Sequence, residues 1–316
     1  MNPEVSVIYV NYNTSALLLQ SISSLIIQCR QIPFEIIIID NASRPEELLK
    51  IKTGLEELKH ENAKLILSAT NDGFSKANNL GAKNAAGKYL FFLNPDTLII
   101  NDVIRIFHDF MESSGHETAA CGGNLLRADH SPNYSYGNFP GLLYEVCSIG
   151  FGLRYLFNDY YRRKVFIGRT VEGRKILEAP YITGADIFIR SDYFNAMKGF
   201  DENFFMYYEE TDLFMRLQHK DYKSYILPEA KIIHFEGGSV AQTSSGDFNY
   251  TKFEMTLRSK LYYFSKWFPP YHVTILKMVI LLQILVQYLK GNKGDSLNKL
   301  ISIYRQNIRI SRLQQA

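Results

Sequence analysis

Within the first hundred residues, four short apolar runs each stop at a polar side chain, and a segment of helical period follows each stop. Val5 to Val10 ends at Asn11-Tyr12-Asn13, and Phe34 to Ile39 at Asp40-Asn41. Lys64 to Ser68 ends shortly before Asn71, and Tyr89 to Leu93 at Asn94-Pro95-Asp96. Between them, Ser15 to Gln28 puts Leu17, Leu18, Ser21, Ile22 and Leu25 on one helical face. Thr14 or Ser15 is placed to cap it. Glu46 to His60, Ser75 to Ala86 and residues 101–120 read as further helices. Strand and helix in alternation predict an α/β domain around a mostly parallel sheet. The unbroken run Phe34–Ile39 suits a strand covered on both faces. Ligands of such sheets bind beyond the carboxyl ends of the strands, so Asn11, Asp40, Asn71 and Asp96 are expected on the binding edge.

Further along, regularity fades and returns. Gly122-Gly123, Pro132, Pro140 and many aromatics predict a loop-rich insertion over 121–180, and a second informative block runs from Pro180 to Ser239. After about residue 250 the pattern is helical. A chain of 316 residues has room for about two domains. The expected division is an α/β domain over 1–240, in halves 1–100 and 101–240, and a helical extension over 241–316. Val273 to Leu289 is nearly all apolar, broken by Lys277, Gln283 and Gln287. At about 17 residues it lies at the lower limit for a bilayer span. Gln283, Gln287 and Lys290 fall on one side, with Lys277 off that stripe, so an in-plane interfacial helix is preferred to a core helix or a span. Lys290, Lys293, Lys299, Arg305, Arg309 and Arg312 suit an anionic cytoplasmic membrane face, and a solvated helix face is the plainer alternative.

Composition narrows the function classes. Apolar residues at 46% and charged residues at 21% exclude wholesale disorder. A net charge of +3, from 35 basic and 32 acidic side chains, is too balanced to indicate nucleic acid. Cys29, Cys121 and Cys147 are scattered and odd in number, against a disulfide framework or a zinc-thiolate site. Met1-Asn2-Pro3-Glu4 has neither the basic region nor the apolar stretch of a secretion signal, so the cytoplasm is the expected compartment.

Several residue groups can carry chemistry. Asp40, at a strand end, can accept hydrogen bonds from a base or ribose hydroxyl, or simply cap the next helix. Asn71-Asp72-Gly73 leads into a helix holding Asn78. Its glycine permits close ligand approach and its helix N-terminus favours phosphate, although Asn-Asp-Gly is also an ordinary turn. Asp96 follows four apolar residues and can anchor Mg²⁺ or Mn²⁺ beside a diphosphate, or start a Pro-Asp turn. Glu209, Glu210 and Asp212 follow an aromatic run. A carboxylate packed there has a raised pKa suited to a general base, whereas helix-dipole compensation is the plainer reading. His234 stands alone, as a structural residue or a metal ligand.

The strings SVIYVNYN (6–13), IIIDNAS (37–43), NDGFSKANNLGAKNAAGKYLFFLNPDT (71–97), ITGADIFIRSDYFNAMKGFDENFFMYYEETDLFMRL (182–217) and IIHFEGGS (232–239) occur in this order. Together they resemble the inverting family 2 glycosyltransferases, nearest to the rhamnosyltransferase-like enzymes of bacterial surface-polysaccharide assembly. The resemblance implies a GT-A fold with a nucleotide-sugar-binding half and an acceptor-binding half. It implies that Asn11, Asp40, Asn71, Gly73, Asn78 and Asn94 bind the donor, and that Gly184, Ala185 and Asp186 border the sugar and acceptor pocket. Asp96 and His234 would bind the metal, Mg²⁺ or Mn²⁺. Glu210 falls at the base position, supported by Glu209 and Asp212. Two departures stand out: the metal motif is Asn94-Pro95-Asp96 rather than two aspartates, and the base is Glu rather than Asp, which makes Asp212 its rival. The implied partners are a dTDP-rhamnose or UDP-sugar donor, a glycan or lipid-linked acceptor, and the cytoplasmic membrane surface, with no nucleic acid. A non-catalytic nucleotide-sugar-binding protein is the alternative. A nucleotidyltransferase is disfavoured because residues 10–16 contain neither glycine nor a basic residue.

Overall fold

The structure is a computed structural model that describes residues 2–58, 60–149, 168–169, 175–235, 249–289 and 296–313. Glu236 to Ser239, Lys290 and Lys293 lie outside the described residues, as do the side chains of Gln287, Arg309 and Arg312. In chain order the elements are β1 (Val5–Asn11), α1 (Ser15–Gln28), β2 (Phe34–Asp40), α2 (Pro45–Leu58), β3 (Ala63–Leu67), α3 (Gly73–Lys83), β4 (Tyr89–Leu93) and β5 (Thr97–Ile99). There follow α4 (Val103–Ser113), β6 (Thr118–Leu126), β7 (Tyr134–Gly137), α5 (Leu142–Cys147), β8 (Gly168–Arg169), β9 (Leu177–Glu178), β10 (Tyr181–Ile182) and β11 (Asp186–Arg190). The rest are α6 (Ser191–Ala196), α7 (Glu209–Gln218), β12 (Lys223–His234), α8 (Tyr250–Trp267), α9 (Pro270–Leu289) and α10 (Ser296–Leu313).

The main sheet has the order β3-β2-β1-β4-β11-β6-β12-β5, with β9 also paired to β12. Strands β1 to β4 are mutually parallel, as are β6 and β12, while β11 runs antiparallel between β4 and β6. This is the expected mixed, mainly parallel sheet flanked by helices. Every residue of β2 is buried, as its unbroken apolar run requires. Each of Ile36 to Ile39 loses all exposure, a transfer of about 1.5–3 kcal/mol apiece before chain entropy is set against it. One face of the sheet packs Val5, Val7, Phe91 and Phe188 against Leu18, Ile22 and Leu25 of α1 and Val103 and Phe107 of α4.

Strand direction decides where polar residues gather. Asn11 and Asp40 are register partners at the carboxyl ends of β1 and β2. Antiparallel β11 begins at that same edge, with Asp186 opposite Leu93. β12 finishes with His234 opposite Thr97. Residues 11, 40, 94–96, 184–186 and 234 therefore share one edge, although they come from distant parts of the chain.

The loop-rich insertion expected over 121–180 is corrected at its start. Residues 118–126 form β6, a fully buried central strand, and the helix expected over 101–120 stops at Ser113. The Gly122-Gly123 pair hides the strand's period, and the pair is required by packing. A Cβ at Gly123 would meet the Ala230 carbonyl oxygen at 2.7 Å and the Asp186 carboxyl at 3.2 Å.

The chain divides into two compact units. One contains the sheet, and the other takes in residues 138–149, Met206–Tyr208 and the helices from Tyr250 onward. In the second unit, α8 and α9 pack with α10, and α5 packs on α9. Asn249 caps α8 by accepting the Lys252 N–H at 2.9 Å. Buried Glu145 pairs with Lys260 at 2.8 Å. Among the described residues, no helix is long and apolar enough to cross a membrane.

Candidate active site

At the ends of β1 and β2 the polar side chains are bonded to one another. The Asn11 amide donates to Asp40 Oδ1 at 2.9 Å and to Ser43 Oγ at 3.0 Å, and its oxygen accepts the Thr14 hydroxyl at 2.8 Å. The other Asp40 oxygen accepts the Ser43 N–H at 3.0 Å. Both residues are buried, so they hold the rim of the edge in place from below.

The next layer is the Asn-Asp-Gly turn. The Asn41 amide donates to Asn71 Oδ1 at 2.8 Å and to the Gly73 carbonyl at 3.2 Å, and Asn41 Oδ1 accepts the Asp72 N–H at 3.1 Å. Gly73 has φ +84, a left-handed conformation that costs an L-residue about 1–2 kcal/mol. A Cβ there would collide with the Phe205 carbonyl oxygen and lie 2.7 Å from the Phe205 ring. That same carbonyl accepts the Phe74 N–H at 2.7 Å, which ties the turn to the segment leading into α7.

Asn78 is buried and its amide donates to the carbonyl of Phe74, one turn back in its own helix. Its neighbour Asn79, not singled out by sequence pattern, makes the longer connection. Its amide donates to the Phe200 carbonyl at 2.9 Å and Glu202 Oε1 at 3.0 Å, and its oxygen accepts the Phe200 N–H at 2.9 Å. Asn41, expected from sequence to help shape the turn, bonds across to Asn71 and Gly73, and Asn79 is a scaffold residue whose signal in the sequence was its adjacency to Asn78.

Past β4, Asn94 donates its backbone N–H to the Ala185 carbonyl at 3.0 Å. Asp96 Oδ1 lies 3.3 Å from His234 Nε2, and their side chains are only 5% and 16% exposed. One carboxylate oxygen and one imidazole nitrogen converging in this way fit a divalent ion such as Mn²⁺ that takes its other ligands from phosphate oxygens and water. Among the described residues no group of three or more His, Cys, Asp or Glu side chains converges.

Gly184 leaves open space, since a Cβ there would meet only the Phe74 ring at 4.0 Å. Asp186 differs: its carboxyl is wholly buried and turned toward β6, where Oδ2 accepts the Gly123 N–H at 2.6 Å and Oδ1 has no partner. Burial pushes its pKa well above the usual carboxylate range.

The acidic cluster occupies the first turn of α7, which begins at Glu209. Tyr207 and Tyr208, just before it, both have φ +70, a backbone strain of the kind that clusters at functional sites. Glu209 and Glu210 each have one buried carboxyl oxygen, Oε2, without a hydrogen-bond partner. Desolvation lifts Glu209 well above the usual range, with Glu210's charge adding to it, and lifts Glu210 to about 7. Asp212 is committed elsewhere: Arg216 Nε donates to its Oδ2 at 2.9 Å, one turn along the helix.

The family profile described as Glycosyl transferase family 2 matches residues 6–168, slightly more than half of the chain. The chain belongs to glycosyltransferase family 2. Among curated relatives of this family 2 glycosyltransferase, an uncharacterized glycosyltransferase of Rickettsia felis is 33% identical over 155 residues. That match covers 46% of this chain and 24% of the relative, so the chain spans about a quarter of that protein's length. The dTDP-rhamnosyl transferase RfbF of Shigella flexneri is 22% identical over 241 residues, 75% of this chain and 71% of that protein. Among solved structures, GalNAc-T7 with UDP, GalNAc and Mn²⁺ superposes with a TM-score of 0.64 at 14% identity, over 97% of this chain and 54% of the other. At that identity the likeness shows the fold, and the fold is GT-A.

Proposed function

We propose that this family 2 glycosyltransferase moves a sugar, with inversion, from a nucleotide-diphosphate donor to an acceptor hydroxyl. Rhamnose from dTDP-rhamnose is the favoured donor, which similarity to RfbF supports. A lipid-linked or polysaccharide acceptor at the inner membrane face completes the reading. What supports the reading is the buried Glu209–Glu210 pair, each with one unpartnered carboxyl oxygen and each lifted above the usual carboxylate range, Glu210 to about 7, together with the approach of Asp96 to His234 at the sheet edge.

Glu210 takes the proton from the acceptor hydroxyl, whose oxygen bonds to the anomeric carbon as the bond from that carbon to the diphosphate oxygen breaks. A base with a pKa of about 7 is half ionised at neutral pH, close to the optimum for proton transfer. Glu209 is likewise lifted well above the usual carboxylate range by burial, with the charge of Glu210 adding to it, which favours its neutral form. Asp212 is engaged by Arg216, one turn along the helix, and serves to anchor the first turn. Asp96 and His234 would hold a divalent cation, Mg²⁺ or Mn²⁺, and such an ion would supply positive charge at the diphosphate. Gly184 leaves room for the sugar, Gly73 lets the turn close against Phe205, and Asn11, Asp40, Asn71, Asn78 and Asn94 keep the donor edge in shape. Ala185, through its carbonyl, and Asp186, against β6, set the floor beside it.

A donor screen tests this. Protein is incubated with dTDP-, UDP- and GDP-sugars and Mn²⁺ or Mg²⁺, with and without EDTA, following thermal shift and slow donor hydrolysis. One donor should raise the melting temperature in a metal-dependent way, and Asp96→Asn should abolish the metal dependence. Donor binding without turnover on any acceptor would favour the non-catalytic nucleotide-sugar-binding protein instead.

A further inference from the structure

Helix α9 carries apolar residues on both of its faces, and only one face is covered within its own unit. Leu276, Ile280 and Ile284 are buried there. On the opposite side Tyr271, Ile275, Met278, Leu282, Leu285 and Leu289 recur every three or four residues and are 38–76% exposed. They form a stripe about 27 Å long at the helical rise, with no charged residue in it. Gln283, on the polar side of the helix, is turned inward and donates to the Glu145 carbonyl at 2.9 Å and to Ser148 Oγ at 3.0 Å. What the helix offers outward is therefore its apolar face.

Charge states what can cover it. Residues 249–316 hold eleven lysines and arginines against Glu254 and Asp295, a net +9, whereas the preceding residues net −6. A second copy of the chain would bring the same strongly positive segment against itself. An anionic surface with an apolar interior answers both the stripe and the charge. No described helix is apolar and long enough to span, so such a surface would meet α9 along its length.

We propose that the exposed face of α9 docks on an anionic lipid bilayer. This rests on the membrane part of the proposed function and not on the transfer chemistry, so vesicle binding is measured without donor and its failure leaves the sugar-transfer reading standing. The full chain is sedimented with phosphatidylcholine vesicles with and without phosphatidylglycerol, at low and high salt. Binding is expected only to the phosphatidylglycerol vesicles and to weaken with salt. Met278→Glu with Leu282→Glu should reduce it by about tenfold or more, because two carboxylates then face the headgroups. Both positions are exposed, so the melting temperature should hold. If that variant is unstable, Arg258→Glu with Arg305→Glu, both also on the surface, should lower binding and flatten its salt dependence. Parent-like binding by a stable charge variant, or equal binding to neutral vesicles, overturns the proposal. So does a lipid-free dimer of the parent that the stripe variant converts to monomer, which would make a second copy the occupant.

Discussion

Replacing Glu210 by Gln keeps the shape of the side chain and removes its ionisation, so the variant isolates what the buried carboxyl does to stability and to rate. The folded protein lifts this carboxyl from 4.5 to about 7 by desolvation. With the folded pKa above the unfolded one, the contribution to stability is complete below about pH 4.5. It falls as the unfolded chain releases a proton that the folded chain keeps, and it is gone above about pH 7. A shift of that size corresponds to about 3 kcal/mol at ~1.4 kcal/mol per unit. Urea unfolding of parent and Glu210→Gln at half-unit steps from pH 4.5 to 8 should show the parent losing about 3 kcal/mol relative to the variant across that window, with no further divergence above it. Glu209 remains in both proteins, so its own titration largely cancels in the comparison apart from its coupling to Glu210. In the same preparations turnover should drop by about 10² to 10⁴ while donor affinity is kept, and the parent's rate should rise with pH through about 7. Parallel stability curves for the two proteins would refute the burial argument. Near-parental turnover in Glu210→Gln would refute its role as base.

Gly73→Ala should destabilise the protein by about 2 kcal/mol or more, from left-handed strain and displacement of Phe205, and should weaken donor binding; urea unfolding and donor titration check both. Asp186→Asn should cost less than about 1 kcal/mol at pH 7, because a neutral side chain of the same shape still accepts the Gly123 N–H, and a loss near 3 kcal/mol would mean the buried group is charged. His234→Ala should weaken Mn²⁺ binding, read by titration calorimetry in the presence of nucleoside diphosphate, and leave the unfolding midpoint little changed because His234 lies at the end of β12.

Apolar period and polar stops carried the α/β class, the first four strands and the edge on which the polar residues gather. A side-chain period reports which face of an element is apolar, and a polar residue closing an unbroken run reports where a strand leaves the core. Neither reports what lies across from it. β6 stayed hidden because its two glycines, needed for close passage of Ala230 and Asp186, erase the alternation that marks a strand. Asn78 and Asn79 are equivalent in a one-dimensional pattern, yet a single helical step of 100° turns one back onto its own helix and the other toward Phe200. Asp186 belongs to a recognisable motif, but register with β4 and β6 turns its carboxyl toward Gly123. Glu210 and Asp212 are rivals in the motif, and only the fold shows that Arg216, one turn on, donates to Asp212. Residue identity and spacing thus determined which chemistry is carried on the sheet edge. Strand register and burial decided which of those groups face one another and which carboxyls lose their water, because both depend on neighbours that are remote in sequence.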